Sequence, residues 1–321
     1  MLSTIDLRIA VCIPCFNEEK TIGYVINDFK SNLPEADIYV YDNLSTDKTA
    51  TVAIKAGAIV RTEAQKGKGN VVRRMFADID ADVYIMIDGD NTYDASIANE
   101  MVDLLISNNL DIVVATRNAH NPENAYRGGH IFGNWALTKT VSSIFQNGFT
   151  DMLSGYRVMS RRFVKSFPIS SNGFEIETEM NIHALQMSVP FDEIQSSYAS
   201  RPIGSESKLS TWIDGIKILF TIFILFKELK PFLFYGFISL FFASISIILA
   251  LPILHTWIDS GLVPRFPTAI LSTGIMILAF LNLSAGLILD SLSRARLDEK
   301  RMKYLSYPSM LELLKKNNES K

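Results

Sequence analysis

Val83-Tyr84-Ile85-Met86-Ile87-Asp88-Gly89-Asp90 is a run of five apolar residues closed by two carboxylates one residue apart. A short apolar run of this length, bounded by a glycine and acidic residues, reads as a buried strand. At the end of a strand, two such carboxylates offer hard oxygen ligands to Mg²⁺ or Mn²⁺, ions that bridge diphosphates well. An isolated Asp-x-Asp marks a solvated turn as readily as a metal site, so its meaning depends on the chain around it.

Outward from that run, further apolar stretches lie at Ile9 to Ile13, Ile38 to Tyr41, Ala58 to Val60 and Ile112 to Ala115. Helix-like segments alternate with them, at Thr21 to Ser31, Thr46 to Ala56, Lys68 to Ala77 and Ile97 to Ser107. Short strands separated by single helices predict βαβ units and an α/β fold with a mostly parallel sheet. Ligands of such sheets bind at the carboxyl ends of the strands. Asn17 and Glu18 follow the first strand, Asp42 the second, Asp88 and Asp90 the fourth and Arg117 the fifth. This convergence carries the site expectation more than any single motif.

No Gly-x-Gly-x-x-Gly and no Gly-x-x-x-x-Gly-Lys-Ser/Thr occurs, which removes the dinucleotide fingerprint and the P-loop. Lys66-Gly67-Lys68-Gly69 instead precedes a helix, where two ammonium groups and a helix N-terminus can face an anion. The plain alternative is a solvated basic turn. The four histidines, at 120, 130, 183 and 255, form neither a triad nor a metal spacing. Cys12 and Cys15 form a Cys-x-x-Cys, but they sit in the first apolar run with no second pair for zinc, so they read as core. A formal net charge of -3 argues against a nucleic-acid partner.

The chain closes differently. Phe232 to Leu254 and Phe266 to Leu289 are uncharged segments of 23 and 24 residues, each about 35 Å long as a helix and enough to cross a bilayer. The loop 255-265 between them carries one Arg, whereas Lys217, Lys227 and Lys230 precede the pair and Arg294, Arg296, Lys300, Arg301 and Lys303 follow it. The positive-inside tendency then places the catalytic domain and both termini on the cytoplasmic side of a plasma or inner membrane. Between Trp212 and Lys230, Asp214, Lys217, Thr221 and Glu228 form a narrow polar stripe on a wide apolar helix, which suits the headgroup plane. No basic region followed by an apolar one occurs in Met1 to Ile9, so no cleavable signal peptide is expected. The expected division is a catalytic domain at 1-209, an amphipathic helix at 210-231, a two-span arm at 232-289 and a cytoplasmic tail at 290-321, read as a short helix or a loose end.

Val11-x-Ile13-Pro14-x-x-Asn17-Glu18, Asp42-Asn43-x-Ser45-x-Asp47, Lys66-Gly67-Lys68-Gly69 and Asp88-Gly89-Asp90, in that order, resemble the family 2 glycosyltransferases. Asp151-x-x-Ser154-Gly155-Tyr156-Arg157, Phe174-Glu175-Ile176-Glu177 and Arg201-Pro202-x-Gly204-x-x-x-Lys208-Leu209 resemble the branch that uses polyprenyl phosphates as acceptors, which includes dolichol-phosphate mannose synthase and the bactoprenol glucosyltransferases. The resemblance covers residues 8 to 215; the two-span arm is similar to the bactoprenol enzymes in layout only.

The resemblance implies a glycosyltransferase A type sheet with a nucleotide-sugar donor across its first strands, and a divalent ion, Mg²⁺ or Mn²⁺, held by Asp88 and Asp90 on the donor diphosphate. Pro14, Asn17, Glu18 and Asp42 fall on the base and ribose side and Lys68 on the nucleotide. Arg117, Arg127, Arg201 and Lys208 fall on donor or acceptor phosphates. Where the family often has two adjacent acids after the second strand, Asp42-Asn43 keeps one, so a uridine and a guanosine donor both stay open. Asp151 orients the acceptor, serves as a base toward a hydroxyl, or fixes its turn by pairing with Arg157. Glu175, Glu177 and Glu179 begin a helix, as capping acids or with one or two entering the site.

Small residues Ser272, Gly274, Ser284, Ala285 and Gly286 permit close helix contact in the second span, and the resemblance suggests a homo-oligomer, a tetramer. The expected reaction is inverting transfer of one sugar to polyprenyl phosphate beside membrane lipid. Two alternatives stand beside it. One is transfer to a hydroxyl of a glycolipid or polysaccharide, although the Gln-x-x-Arg-Trp of processive relatives is absent. The other is a silent membrane scaffold, although Asp88 and Asp90 are intact.

Overall fold

The computed structural model describes residues 7–119, 148–169, 175–199 and 226–319 together with isolated positions between them. The chain divides into two units: Met1–Gly215 with Lys300–Lys321, and Ile216–Glu299.

The first unit is built on one seven-stranded sheet. Its strands are β1 Ile9–Cys15, β2 Asp37–Asp42, β3 Ile59–Thr62, β4 Val83–Met86, β5 Ile112–Ala119, β6 Arg157–Ser160 and β7 Phe191–Tyr198. They run in the spatial order β3-β2-β1-β4-β6-β5-β7. β6 alone is antiparallel to its neighbours; the other pairings are parallel. β1, β4 and β6 are buried along almost their whole length, as central strands covered on both faces must be. β3 and β7 are edges, and β7 carries the Asp, Glu, Gln and Ser residues that suit one.

The helices of this unit are α1 Ile22–Asn32, α2 Thr49–Lys55, α3 Lys68–Asp78, α4 Ala98–Ser107, α5 Arg161–Ser166 and α6 Ile176–Met187. α1 and α4 each bury one apolar stripe, Ile22, Val25, Ile26 and Phe29 on the first and Met101, Val102, Leu105 and Ile106 on the second. The five strands and four helices expected up to residue 119 are present with ends shifted by up to four residues. β6 and β7 were not expected: one is four residues long and starts on an arginine, the other alternates weakly. The thiols of Cys12 and Cys15 are buried in the sheet, and burial pushes Cys12 up to about 12, so the pair is core.

In the second unit, α7 spans Pro231–Ser260 and α8 begins at Phe266, running on to Leu305. Their most apolar windows have mean hydropathies of 2.5 and 2.0, and only 6% and 11% of those windows is buried. Helices this apolar and this exposed are candidate membrane spans rather than core helices. They meet at small residues: the Ser246 hydroxyl donates to the Ser272 carbonyl at 2.7 Å, and a Cβ on Gly286 would stand 3.0 Å from that of Tyr235. Gly274 has no such neighbour. Most of the amphipathic segment at 210-231 lies outside the described residues.

Of the two readings of the tail, the short helix is the one present, preceded by an extension of the second apolar helix. α8 continues to Leu305, a last helix α9 spans Met310–Glu319, and this segment from Lys300 onward belongs to the first unit. Met310 is buried in that unit's core, with Leu313 and Leu314 packed against it. Tyr304 donates to the fully buried Asp111 at 2.6 Å, and Asp111 also accepts from Ser160 at 2.6 Å and from Nε and Nη2 of Arg162 at 2.5 and 2.7 Å. The Arg162 guanidinium lies 4.7 Å from the Tyr304 ring centre.

Candidate active site

The parallel ladders bring the ends of β1, β2, β4 and β5 to one side of the sheet, and the reversed β6 begins there: Arg157 pairs with Met86 of β4 and Val114 of β5. The site grows from this edge.

On the β1 and β2 side, Asn17 takes a left-handed turn with φ 55. Its N–H donates to Ser45 at 2.8 Å and its side-chain oxygen accepts from the Thr46 N–H at 2.8 Å, tying the two loops together. The Glu18 N–H donates to Thr49 at 2.8 Å, and Pro14 pairs with Tyr41 in the ladder. Asp42 is buried; one carboxylate oxygen accepts from the Ser45 N–H at 3.2 Å, and the other has no hydrogen-bond partner. Asn43, where the family often has an acid, donates to the carbonyls of Glu63 and Gln65 at 2.9 and 2.8 Å and accepts from Gly67 at 2.8 Å. It is the scaffold of the Lys66-Gly67-Lys68-Gly69 loop. Gly67 there has φ 124, a conformation reserved for glycine.

Lys68, at the start of α3, ion-pairs with both Asp88 and Glu177. Burial works against its charge, but the two carboxylates outweigh that and hold the ammonium well above its usual range. Asp90 is buried, and its Oδ1 accepts from the Thr92 N–H at 3.2 Å and the Thr92 hydroxyl at 2.6 Å. No group of three or more His, Cys, Asp or Glu side chains suited to a metal occurs among the described residues. Two carboxylates fit an Mg²⁺- or Mn²⁺-sized ion that completes its shell with phosphate oxygens and water.

Asp151 and Arg117 form the opposite cluster. The guanidinium donates to both carboxylate oxygens at 2.7 Å, and the N–H groups of Arg117 and Leu153 add bonds at 3.2 and 3.1 Å. Burial would raise the Asp151 proton affinity, yet the Arg117 fork holds it below the usual carboxylate range. The pairing of Asp151 with Arg157 does not occur. Arg157 points instead to the Ser154 carbonyl at 3.0 Å and to Asn181 at 2.7 Å, because β6 enters the sheet between β4 and β5 and turns its first side chain toward α6.

The two clusters meet at the Ser154-Gly155 turn. A Cβ on Gly155 would lie 2.3 Å from an Asp88 oxygen, so any larger residue here would displace the Asp88 carboxylate. The Tyr93 hydroxyl accepts the Gly155 N–H at 2.8 Å, and Ser154 donates to the Ala115 carbonyl at 2.5 Å.

Of the three helix-start acids, Glu177 enters the site, Glu175 is exposed and Glu179 accepts from the backbone and hydroxyl of Ser171 at 2.9 and 2.6 Å. Asn181, Arg157, Tyr93 and Asn43 were missed as site residues. Asn43 and Arg157 stand within the quoted motifs without a role given to them at the site, and Asn181 lies one turn after Glu177. Arg127, Arg201 and Lys208 lie outside the described residues.

Residues 10–167 match the model of glycosyl transferase family 2. RfbJ of Shigella flexneri is 62% identical over 125 residues, 39% of this chain and 97% of RfbJ. Glycosyltransferase AglJ of Haloferax volcanii is 33% identical over 252 residues, 78% of this chain and 82% of AglJ. The dolichyl-phosphate hexose transferase of the same organism is 26% identical, over 65% of this chain and 90% of its own. Among solved structures, glucosyl-3-phosphoglycerate synthase of Mycobacterium tuberculosis, in complex with Mn²⁺, UDP and glucosyl-3-phosphoglycerate, superimposes with a TM-score of 0.51 at 20% identity, over 68% of this chain and 80% of that one. The chain belongs to glycosyl transferase family 2, and it is a glycosyltransferase with the nucleotide-sugar-binding fold of that family.

Proposed function

We propose that this enzyme transfers one hexose, with inversion, from a UDP- or GDP-sugar to polyprenyl phosphate at the cytoplasmic face of a membrane. The observation that carries the reading is the approach of two charged clusters, Lys68 with Asp88 and Arg117 with Asp151, across Gly155. The first suits a leaving diphosphate and the second an incoming phosphate.

In the transfer, an oxygen of the acceptor phosphate attacks the anomeric carbon as the bond to the donor diphosphate breaks on the opposite face, and the nucleoside diphosphate departs with the bonding electrons. Lys68 neutralises the departing diphosphate. Asp88 and Asp90 would hold the divalent ion, which supplies charge neutralisation on that diphosphate when bound. A phosphate monoester, with its second pKa near about 6, is already largely dianionic at neutral pH and needs no strong base. Asp151 agrees with that: committed to Arg117 and held ionised, it is a poor base and a good holder of the arginine that meets the acceptor. Asn17, Glu18 and the unpartnered oxygen of Asp42 face the nucleoside. The name of the dolichyl-phosphate relative supports the lipid acceptor, and the Mn²⁺ and UDP of the fold neighbour support the metal.

Transfer of radiolabelled sugar from UDP-glucose, UDP-N-acetylglucosamine and GDP-mannose to undecaprenyl phosphate tests this, with Mn²⁺ or EDTA and with Asp90→Ala. A labelled lipid phosphate from one donor, lost with EDTA and in the variant, is expected. Label found only on a hydroxyl acceptor overturns the acceptor; nucleotide binding without any transfer or metal response favours the scaffold. For the topology, a periplasmic reporter inserted in loop 255-265 is expected to be active and the same reporter at the C-terminus inactive.

A further inference from the structure

Glu177 sits 4% exposed in the first turn of α6 and is paired with an ammonium that already has a carboxylate. Lys68 is itself buried, between the enclosed Glu177 and the more open Asp88, whose side chains are 5% and 30% exposed. A single Lys68–Asp88 pair would be neutral, so the second buried carboxylate calls for a reason. Part of it is Arg157, fully buried, without a carboxylate partner, its Nη2 left without a hydrogen bond, and lying in the field of Glu177. Counted together, Lys68, Arg157, Asp88 and Glu177 are neutral.

That balance changes when Asp88 gives its oxygens to a divalent cation. In the absence of Glu177, Lys68 would then be a buried ammonium deprived of the carboxylate charge that now balances it, an unfavourable arrangement. Glu177 removes this penalty because it already holds the lysine from the other side.

We propose that Glu177 is a positioning residue that retains Lys68 when Asp88 exchanges the lysine for a divalent cation, and thereby sets the cation concentration at which the donor diphosphate is held. This rests on the reading of Asp88 and Asp90 as the cation's ligands. A capping acid at the helix start would carry no such coupling to the cation.

The test is Mn²⁺ affinity of the full-length protein in detergent at saturating UDP, read from the free-Mn²⁺ electron paramagnetic resonance signal, for wild type, Glu177→Gln, Lys68→Met and the double variant. Without Glu177, Lys68 loses the carboxylate that holds it on the side away from Asp88, and Glu177→Gln is expected to raise the Mn²⁺ Kd roughly tenfold. In the Lys68→Met background the same change is expected to shift it by less than about twofold, since the effect runs through the lysine. An unchanged Kd in Glu177→Gln, or an equal rise in both backgrounds, overturns the proposal and leaves the metal reading standing. A wild-type protein that binds UDP but takes up no Mn²⁺ overturns the metal reading and the proposal with it. Thermal midpoints reveal a variant that fails to fold, in which case Glu177→Asp carries the comparison, with a rise of about threefold expected.

Discussion

Asp151 receives two hydrogen bonds from the Arg117 side chain and two from backbone N–H groups, while burial alone would have favoured its protonated form. Its folded value therefore lies below the unfolded value of about 3.9. The stability it contributes is fully present above that value and is lost as pH falls through the depressed folded one. Asp151→Asn removes the charge that the Arg117 fork holds and is expected to cost about 3 kcal/mol at neutral pH. Denaturant titrations of wild type and variant should show a constant gap down to about pH 4 that closes only below it. Gly155 gives a second residue-scale expectation. Gly155→Ala would place a methyl 2.3 Å from Asp88, and the shift this forces is expected to cut kcat roughly tenfold or more, with the thermal midpoint little changed.

At the scale of elements, α6 ties the two clusters together. Asn181 accepts from Arg157 at 2.7 Å and donates to the Met152 carbonyl at 3.2 Å, one turn beyond Glu177 on the same helix. Asn181→Ala is expected to cost about 2 kcal/mol of stability in chemical denaturation, since it leaves a buried guanidinium and a carbonyl short of partners. The elements up to residue 119 were legible because hydrophobic period and turn chemistry are local. So were the places of Asp88 and Asp90 after a strand and of Lys68 at a helix start. What was not legible depends on topology. Asp151 could be matched to Arg157 by proximity in sequence, but the reversed β6 carries Arg157 away and delivers Arg117 from 34 residues upstream. Glu177 could be placed on a helix start; that its partner is Lys68, more than a hundred residues earlier, follows only from the packed fold.

At the scale of the whole molecule, the sheet unit is completed by residues that come after the two apolar helices. Tyr304→Phe removes a hydrogen bond to the buried Asp111 and is expected to cost the sheet unit about 2 kcal/mol, measurable as a lowered thermal midpoint in detergent. The same feature has a bearing on biosynthesis. Domains of a growing chain generally fold in order from the N-terminus. Here Tyr304 and Met310 are translated only after both apolar helices, so Asp111 and the core around Met310 wait for them while the hairpin is being made. Translation order thus makes arrival of the last segment the closing step in the catalytic unit's assembly, and a chain that stops before it leaves the ribosome with that unit unfinished.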